Sequence, residues 1–118
     1  MTYDEFSSCI DACNQCANAC DRCFSACFCE QHSPDMASCM RVHVDCAAIC
    51  RTAAGAMARS SLVAHIICES CARVCEICAN ESMKHDVEVC RQSDQACRNC
   101  ATACRQAAAL AVSTQAVN

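Results

Sequence analysis

Six cysteines near the start of the chain, Cys9, Cys13, Cys16, Cys20, Cys23 and Cys27, follow one another at intervals of 4, 3, 4, 3 and 4 residues. At ~100° per residue of α-helix, these intervals keep all six sulfurs within about 80° of arc. One helix face is therefore a row of soft ligands where a bundle helix would carry leucine. Three further segments repeat the device. Cys39, Cys46 and Cys50 share a face with Met36, His43 and Met57; Cys68, Cys71, Cys75 and Cys78 share one, with His65 a turn earlier; Cys90, Cys97, Cys100 and Cys104 make the fourth. Side chains at i,i+3 or i,i+4 start ~5–6 Å apart at Cβ, and two metal–sulfur bonds of about 2.3 Å laid end to end span about 4.6 Å. One soft ion can thus bridge two cysteines of a single helix.

Thiolates select copper(I), zinc or iron–sulfur clusters, and charge separates the three. Zinc closes tetrahedral four-ligand sites; four all-cysteine sites in one dry core would bury a charge of about -8, which is costly. Copper(I) carries one positive charge and accepts two or three sulfurs. If each ion binds two thiolates and each thiolate bridges two ions, the loaded core is neutral and holds on the order of 15 to 20 ions. An empty core must hold neutral thiols, because burial raises a cysteine's pKa, so loading releases protons. The readings from other classes are a disulfide-stapled helical module and a zinc or iron–sulfur thiolate protein. Neighbouring thiols of one helix point the same way, which disfavours stapling. No cysteine run has the ferredoxin spacing, and no βαβ pattern surrounds the CxxC pairs. No nucleophile, base and orienting residue stand at an interpretable spacing, so no enzyme activity is expected.

The elements that must position these ligands are legible from breaks and caps. Helices are expected over residues 3–31, 34–59, 61–84 and 86–111. Asp4 and Glu5 suit the first turn of the first helix; Ser33-Pro34-Asp35 reads as an N-cap, a proline at the first helical position and an acid behind it; Ser60 and Ser61 are read as caps of the third helix and Asp86 as the N-cap of the fourth. Residues 112–118 carry no periodic signal and are read as frayed. Four helices of ~25 residues with short connections predict an all-α, antiparallel up-down-up-down four-helix bundle with a cysteine-lined core, a single domain over residues 1–118. Every cysteine but Cys29 then converges on one axis. One end collects Cys27, Cys29, His32, Met36, Met83 and His85, soft or borderline ligands near loops where ions would enter; the other collects Met57, Leu62 and Leu110 as an apolar plug. Of these, Cys29, Met36 and His85, together with His43, join the stripe cysteines as expected metal ligands.

Composition agrees with this layout. The chain has 118 residues, 18 of them cysteine, with one glycine, one proline and a net charge of -4. Only 18 residues are Leu, Ile, Val or Phe, so cysteine and alanine must supply the missing apolar volume. Nine basic residues and few aromatics give no footprint for nucleic acid. The start, MTYDEFSSC, lacks a basic segment and an apolar stretch, which predicts a cytosolic protein with reduced thiols. The third helix has a second apolar stripe, Val63, Ile66, Ile67, Val74 and Ile77, which predicts a homo-oligomer. Arg91, Arg98 and Arg105 recur every seven residues, as a solvated face or as partners in intersubunit salt bridges.

With these repeated CxxxC and CxxC pairs, residues 1–111 closely resemble the bacterial copper storage proteins, and the lack of an export signal resembles the cytosolic branch. The resemblance implies a homotetramer in which each protomer fills its own core with many copper(I) ions bound mainly by cysteine. It implies ligand roles for the stripe cysteines; Cys29 leaves the stripe, and His43 departs from an all-cysteine lining.

Overall fold

With one glycine and one proline in the chain, little interrupts helix once it starts. The computed structural model describes the backbone of residues 3–29 and 36–117, and side chains within 5–28 and 36–111. These residues form α1 (Tyr3–Cys29), α2 (Met36–Ala58), α3 (Ala64–Ser82) and α4 (Glu88–Val117), with no strand among them. Each helix packs on its sequence neighbours and α4 closes on α1, while the diagonal helices meet only through side chains across the lumen. Sulfur pairs fix the directions: Cys9 meets Cys104 and Cys23 meets Cys90, so α1 and α4 are antiparallel; Cys50 meets Cys71, while His43 meets Ser82, so α2 and α3 are too. The bundle is a rod of 52 × 18 × 17 Å.

Buried alanines flank the cysteines, among them Ala17, Ala47, Ala53, Ala72, Ala79 and Ala101. They have no side chain beyond Cβ, so the helices approach closely around a lumen only as wide as its thiols.

The ends of the elements differ from the sequence reading in four places, one of them the start of α4, where Asp86 lies two residues before Glu88 and pairs with Arg91 rather than capping the helix. Ser60 and Ser61 close α2 rather than open α3. Ser60 takes a left-handed φ of 54°, its N–H donates to the Met57 carbonyl at 3.2 Å, and the Ser61 N–H reaches the Ala56 carbonyl at 2.9 Å. That is a Schellman closure with serine where glycine is usual. α3 then starts at Ala64 without a side-chain cap on its first turn; the Ser61 hydroxyl accepts from the Val63 N–H at 3.2 Å instead. At the other extreme α4 continues to Val117, since an alanine-rich segment without glycine or proline has no reason to stop at Ala111. The Ser33-Pro34-Asp35 cap and His32 lie outside the described residues.

The apolar plug is also composed differently. Met57 is fully buried with Phe6, whereas Leu62 is 82% and Leu110 40% exposed. Phe6 lies seven residues before Cys13, on the thiol face of α1, and fills the lumen end that the leucines were expected to fill. The α4 arginines pair within the chain: Arg91 with Glu88 at 3.0 Å, Arg98 with Asp94 at 2.7 Å and Arg105 with Glu76. Being surface pairs, they contribute little to stability.

Candidate metal centre

The helical intervals bring seventeen cysteines to one axis. All seventeen cysteines whose side chains the structure describes are buried, and each is a free thiol; the Cys29 side chain lies outside the described residues. From the Phe6–Met57 end, the column begins with Cys9, 3.7 Å from Cys104, which is 3.5 Å from Cys13. Cys100 lies 3.6 Å from Cys13 and 3.8 Å from Cys50, and Cys50 is 3.7 Å from both Cys71 and Cys75. Cys16, Cys46 and Cys97 follow at 3.6–3.9 Å from one another, then Cys20, 4.0 Å from Cys78. Several sets of four sulfurs have all their members within 4.8 Å of one another, among them Cys13/Cys71/Cys100/Cys104, Cys16/Cys46/Cys50/Cys75, Cys16/Cys20/Cys46/Cys97 and Cys50/Cys71/Cys75/Cys100. The sets share members, as bridging thiolates require. Pairs at 3.5–4.0 Å are shorter than the ~4.6 Å span of a two-coordinate ion, so loading asks facing thiols to part by roughly 0.6–1.1 Å.

A polar rung then crosses the lumen. His43 is fully buried. Its Nδ1 lies 2.5 Å from the Cys39 carbonyl oxygen, to which an Nδ1–H donates, and its Nε2 lies 2.7 Å from Ser93 Oγ and 3.1 Å from Ser82 Oγ. Ser82 Oγ also donates to the Cys78 carbonyl at 3.0 Å. With Nδ1 spent on a carbonyl, Nε2 is the acceptor for the Ser93 hydroxyl. Burial opposes the imidazolium, but hydrogen bonds to the Cys39 sulfur and carbonyl outweigh it, so the His43 pKa is raised. A ring nitrogen of His43 also lies within 4.8 Å of Cys20 and Cys78 sulfurs. Beyond the rung a second compartment packs Cys23, Cys27, Cys90 and Met36, with Cys23 and Cys90 3.8 Å apart.

Ser82 and Ser93 are the residues that reading the cysteines alone misses. Both keep the stripe's register: Ser82 comes four residues after Cys78, and Ser93 three after Cys90 and four before Cys97. Extending the 3-4 interval through non-cysteine positions finds them, and finds His43 opposite.

Burial alone would raise every thiol, and the structure divides them instead. Cys13, Cys16, Cys50, Cys75 and Cys104 are pushed up, in each case first by a hydrogen bond to Cys100. Cys100 is itself lowered by hydrogen bonding with Cys104, Cys13, Cys16 and Cys50. Cys46 is lowered in the same way by Cys16, Cys20, Cys50 and Cys75. Hydrogen bonds between facing thiols, rather than burial alone, therefore set which sulfurs are lowered and which are raised. In the second compartment Cys39 is drawn down to about 5, first by its hydrogen bond to Cys23 and then by His43, while burial pushes Cys90 up to about 11.

The expected non-cysteine ligands are placed unevenly. Met36 is buried in the second compartment. His85 is half-buried in the α3–α4 connection, its N–H donating to the Ser82 carbonyl at 3.2 Å and its Nε2 without a hydrogen-bond partner. Met83 is 64% exposed, so it stands outside the lumen.

Comparison with known proteins follows the same lines. A sequence profile of the copper storage protein family matches residues 2–109. A cysteine-rich protein of Bacillus subtilis (strain 168), YhjQ, is 40% identical over 84 residues, covering 71% of this chain and 78% of its own. Among solved structures, the Cu(I)-bound copper storage protein BsCsp3 superposes with a TM-score of 0.83 at 39% identity, over 89% of this chain and 97% of that one. A cytosolic copper storage protein of Streptomyces lividans, loaded with five coppers, gives 0.85 at 34% identity, over 91% and 94%.

Proposed function

The chain belongs to the copper storage protein family, and from that premise we propose that it sequesters many copper(I) ions inside its own bundle and supplies them on demand. The observation that carries this reading is the column of seventeen buried free thiols with neighbours at 3.5–4.0 Å. A ligand set of this density, in a core without net charge to spare, suits a monovalent soft ion better than a divalent one. The proposed ligands are the buried cysteines and Cys29, with His43, Met36 and His85 at and beyond the polar rung. Residues 1–118 act as one storage domain. Its work is stoichiometric rather than enzymatic: the described thiols face one another inside the bundle. A cytoplasmic location fits reduced thiols, and none of the described helices is long and apolar enough to cross a membrane.

Anaerobic copper(I) titration of the reduced chain against a chromophoric copper(I) chelator tests this reading. Saturation at about 15 to 20 ions per chain, with proton release, is expected from the ligand count; saturation after two or three ions would overturn it. Ions are proposed to enter beside Met36 and His85, so the same titration followed in time slows in a Met36→Ala, Met83→Ala, His85→Ala variant. Unchanged uptake would remove that route.

We also propose that the protein is a homotetramer. On α3, Ile66 and Ile77 are 55% and 56% exposed and Val63 48%, an apolar row that a second copy of the chain would cover. Ile66→Glu with Ile77→Glu is expected to yield a smaller species in sedimentation velocity with helix content intact. An unchanged sedimentation coefficient would place the interface elsewhere.

A further inference from the structure

We propose that the thiol column also binds trivalent arsenic, three centres per chain, each held by three sulfurs. The column contains three sulfur triangles that share no member. Cys13, Cys100 and Cys104 stand 3.5, 3.6 and 3.8 Å apart; Cys50, Cys71 and Cys75 stand 3.7, 3.7 and 3.9 Å apart; Cys16, Cys46 and Cys97 stand 3.6, 3.9 and 3.9 Å apart. A centre with bonds of about 2.3 Å to sulfur needs triangle sides of about 4.0 Å to lie in the plane of its ligands. On the tighter Cys13 triangle the same bond length lifts the centre about 0.9 Å out of the plane. Three bonds on one side and none on the other is the shape of a trivalent ion with a lone pair, and all three triangles lie on that side of planarity. A two-coordinate ion must spread these sulfurs; a pyramidal one takes them nearly as they stand.

The chemistry suits a dry interior. Arsenous acid is neutral, so it enters without the cost of burying a charge. At each triangle three As–O and three S–H bonds break, three As–S and three O–H bonds form, and three waters leave. Arsenic stays trivalent, no thiol is oxidised, and the product carries no charge. The helices have already met the entropy cost of gathering three thiols, and each triangle draws its sulfurs from at least two helices.

The test uses the full reduced, metal-free chain incubated overnight with sodium arsenite near neutral pH without oxygen, then desalted. Bound arsenic, remaining free thiols and the ultraviolet arsenic–sulfur absorption are read together. Three arsenic atoms and the loss of nine reactive thiols per chain are expected. The paired substitution Cys13→Ser and Cys104→Ser removes two corners of one triangle and should leave two arsenic atoms; Cys50→Ser with Cys71→Ser does the same to a second triangle and stands in should the first variant lose its helix content. No retained arsenic, two thiols lost per arsenic, or three atoms retained in a helical variant would each overturn the proposal.

Discussion

Loading with copper(I) is expected to raise the thermal unfolding midpoint of the chain by more than about 30 °C, and stripping the metal with a chelator to return it. The expectation comes from linkage. A ligand that binds only the folded state at about a hundred times its Kd adds about 2.7 kcal/mol per site, so four such sites add roughly 11 kcal/mol, comparable with the whole stability of an ordinary domain. For a chain of this length about 1 kcal/mol moves the midpoint by ~4 °C. The column offers many more than four sites, and each set of four sulfurs draws on at least three helices: Cys16, Cys46, Cys50 and Cys75 tie α1, α2 and α3, while Cys13, Cys71, Cys100 and Cys104 tie α1, α3 and α4. Unfolding must therefore break metal bonds across the whole rod. The measurement is a melt followed by circular dichroism on matched apo and loaded samples. Equal midpoints with copper still bound would mean that the ions sit on the surface and that the lumen is not the store.

That the lumen could be read before the structure follows from how little the helix geometry allows. A 3-4 interval sustained over six cysteines in α1 has one outcome on a helix, and four such stripes with short connections can bury their sulfurs only by facing inward. The errors lie where a residue's place is decided by something other than periodicity. Leu62 is apolar yet stands outside, because the left-handed Ser60 turns the chain before α3 begins. Phe6 plugs the lumen because it continues the α1 stripe, and attention to cysteine alone passes over it. Ser82 and Ser93 were hidden for the same reason. Their polarity marks them as surface residues until three hydrogen-bonding side chains are found at one level of the bundle, which no single helix reveals. The split among the thiol pKa values was likewise invisible, since it depends on which sulfurs of different helices come within hydrogen-bond distance of one another.

The polar rung is a structural joint as well as a proposed ligand site, and removing its centre separates the two roles. His43→Leu keeps most of the volume but leaves the Ser93 hydroxyl without the 2.7 Å acceptor it has in the natural chain; its other contacts are the Cys20 and Cys97 sulfurs at 3.9 Å. A buried hydroxyl orphaned in this way costs about 1–3 kcal/mol, and with the lost Nδ1–H bond to the Cys39 carbonyl the apo chain should lose about 3 kcal/mol in urea unfolding. Ser82 suffers less, because it keeps its donation to the Cys78 carbonyl. Adding Ser93→Ala to His43→Leu removes the orphan rather than a second bond, so the pair should recover more than about 1 kcal/mol, a non-additivity that independent sites would not show. Were the two substitutions simply additive, the hydrogen bond between them would contribute nothing to the fold. Copper capacity distinguishes the second role. Seventeen buried sulfurs remain in the paired variant, so a ligating His43 predicts the loss of about one ion at saturation, and a purely structural His43 predicts the loss of none.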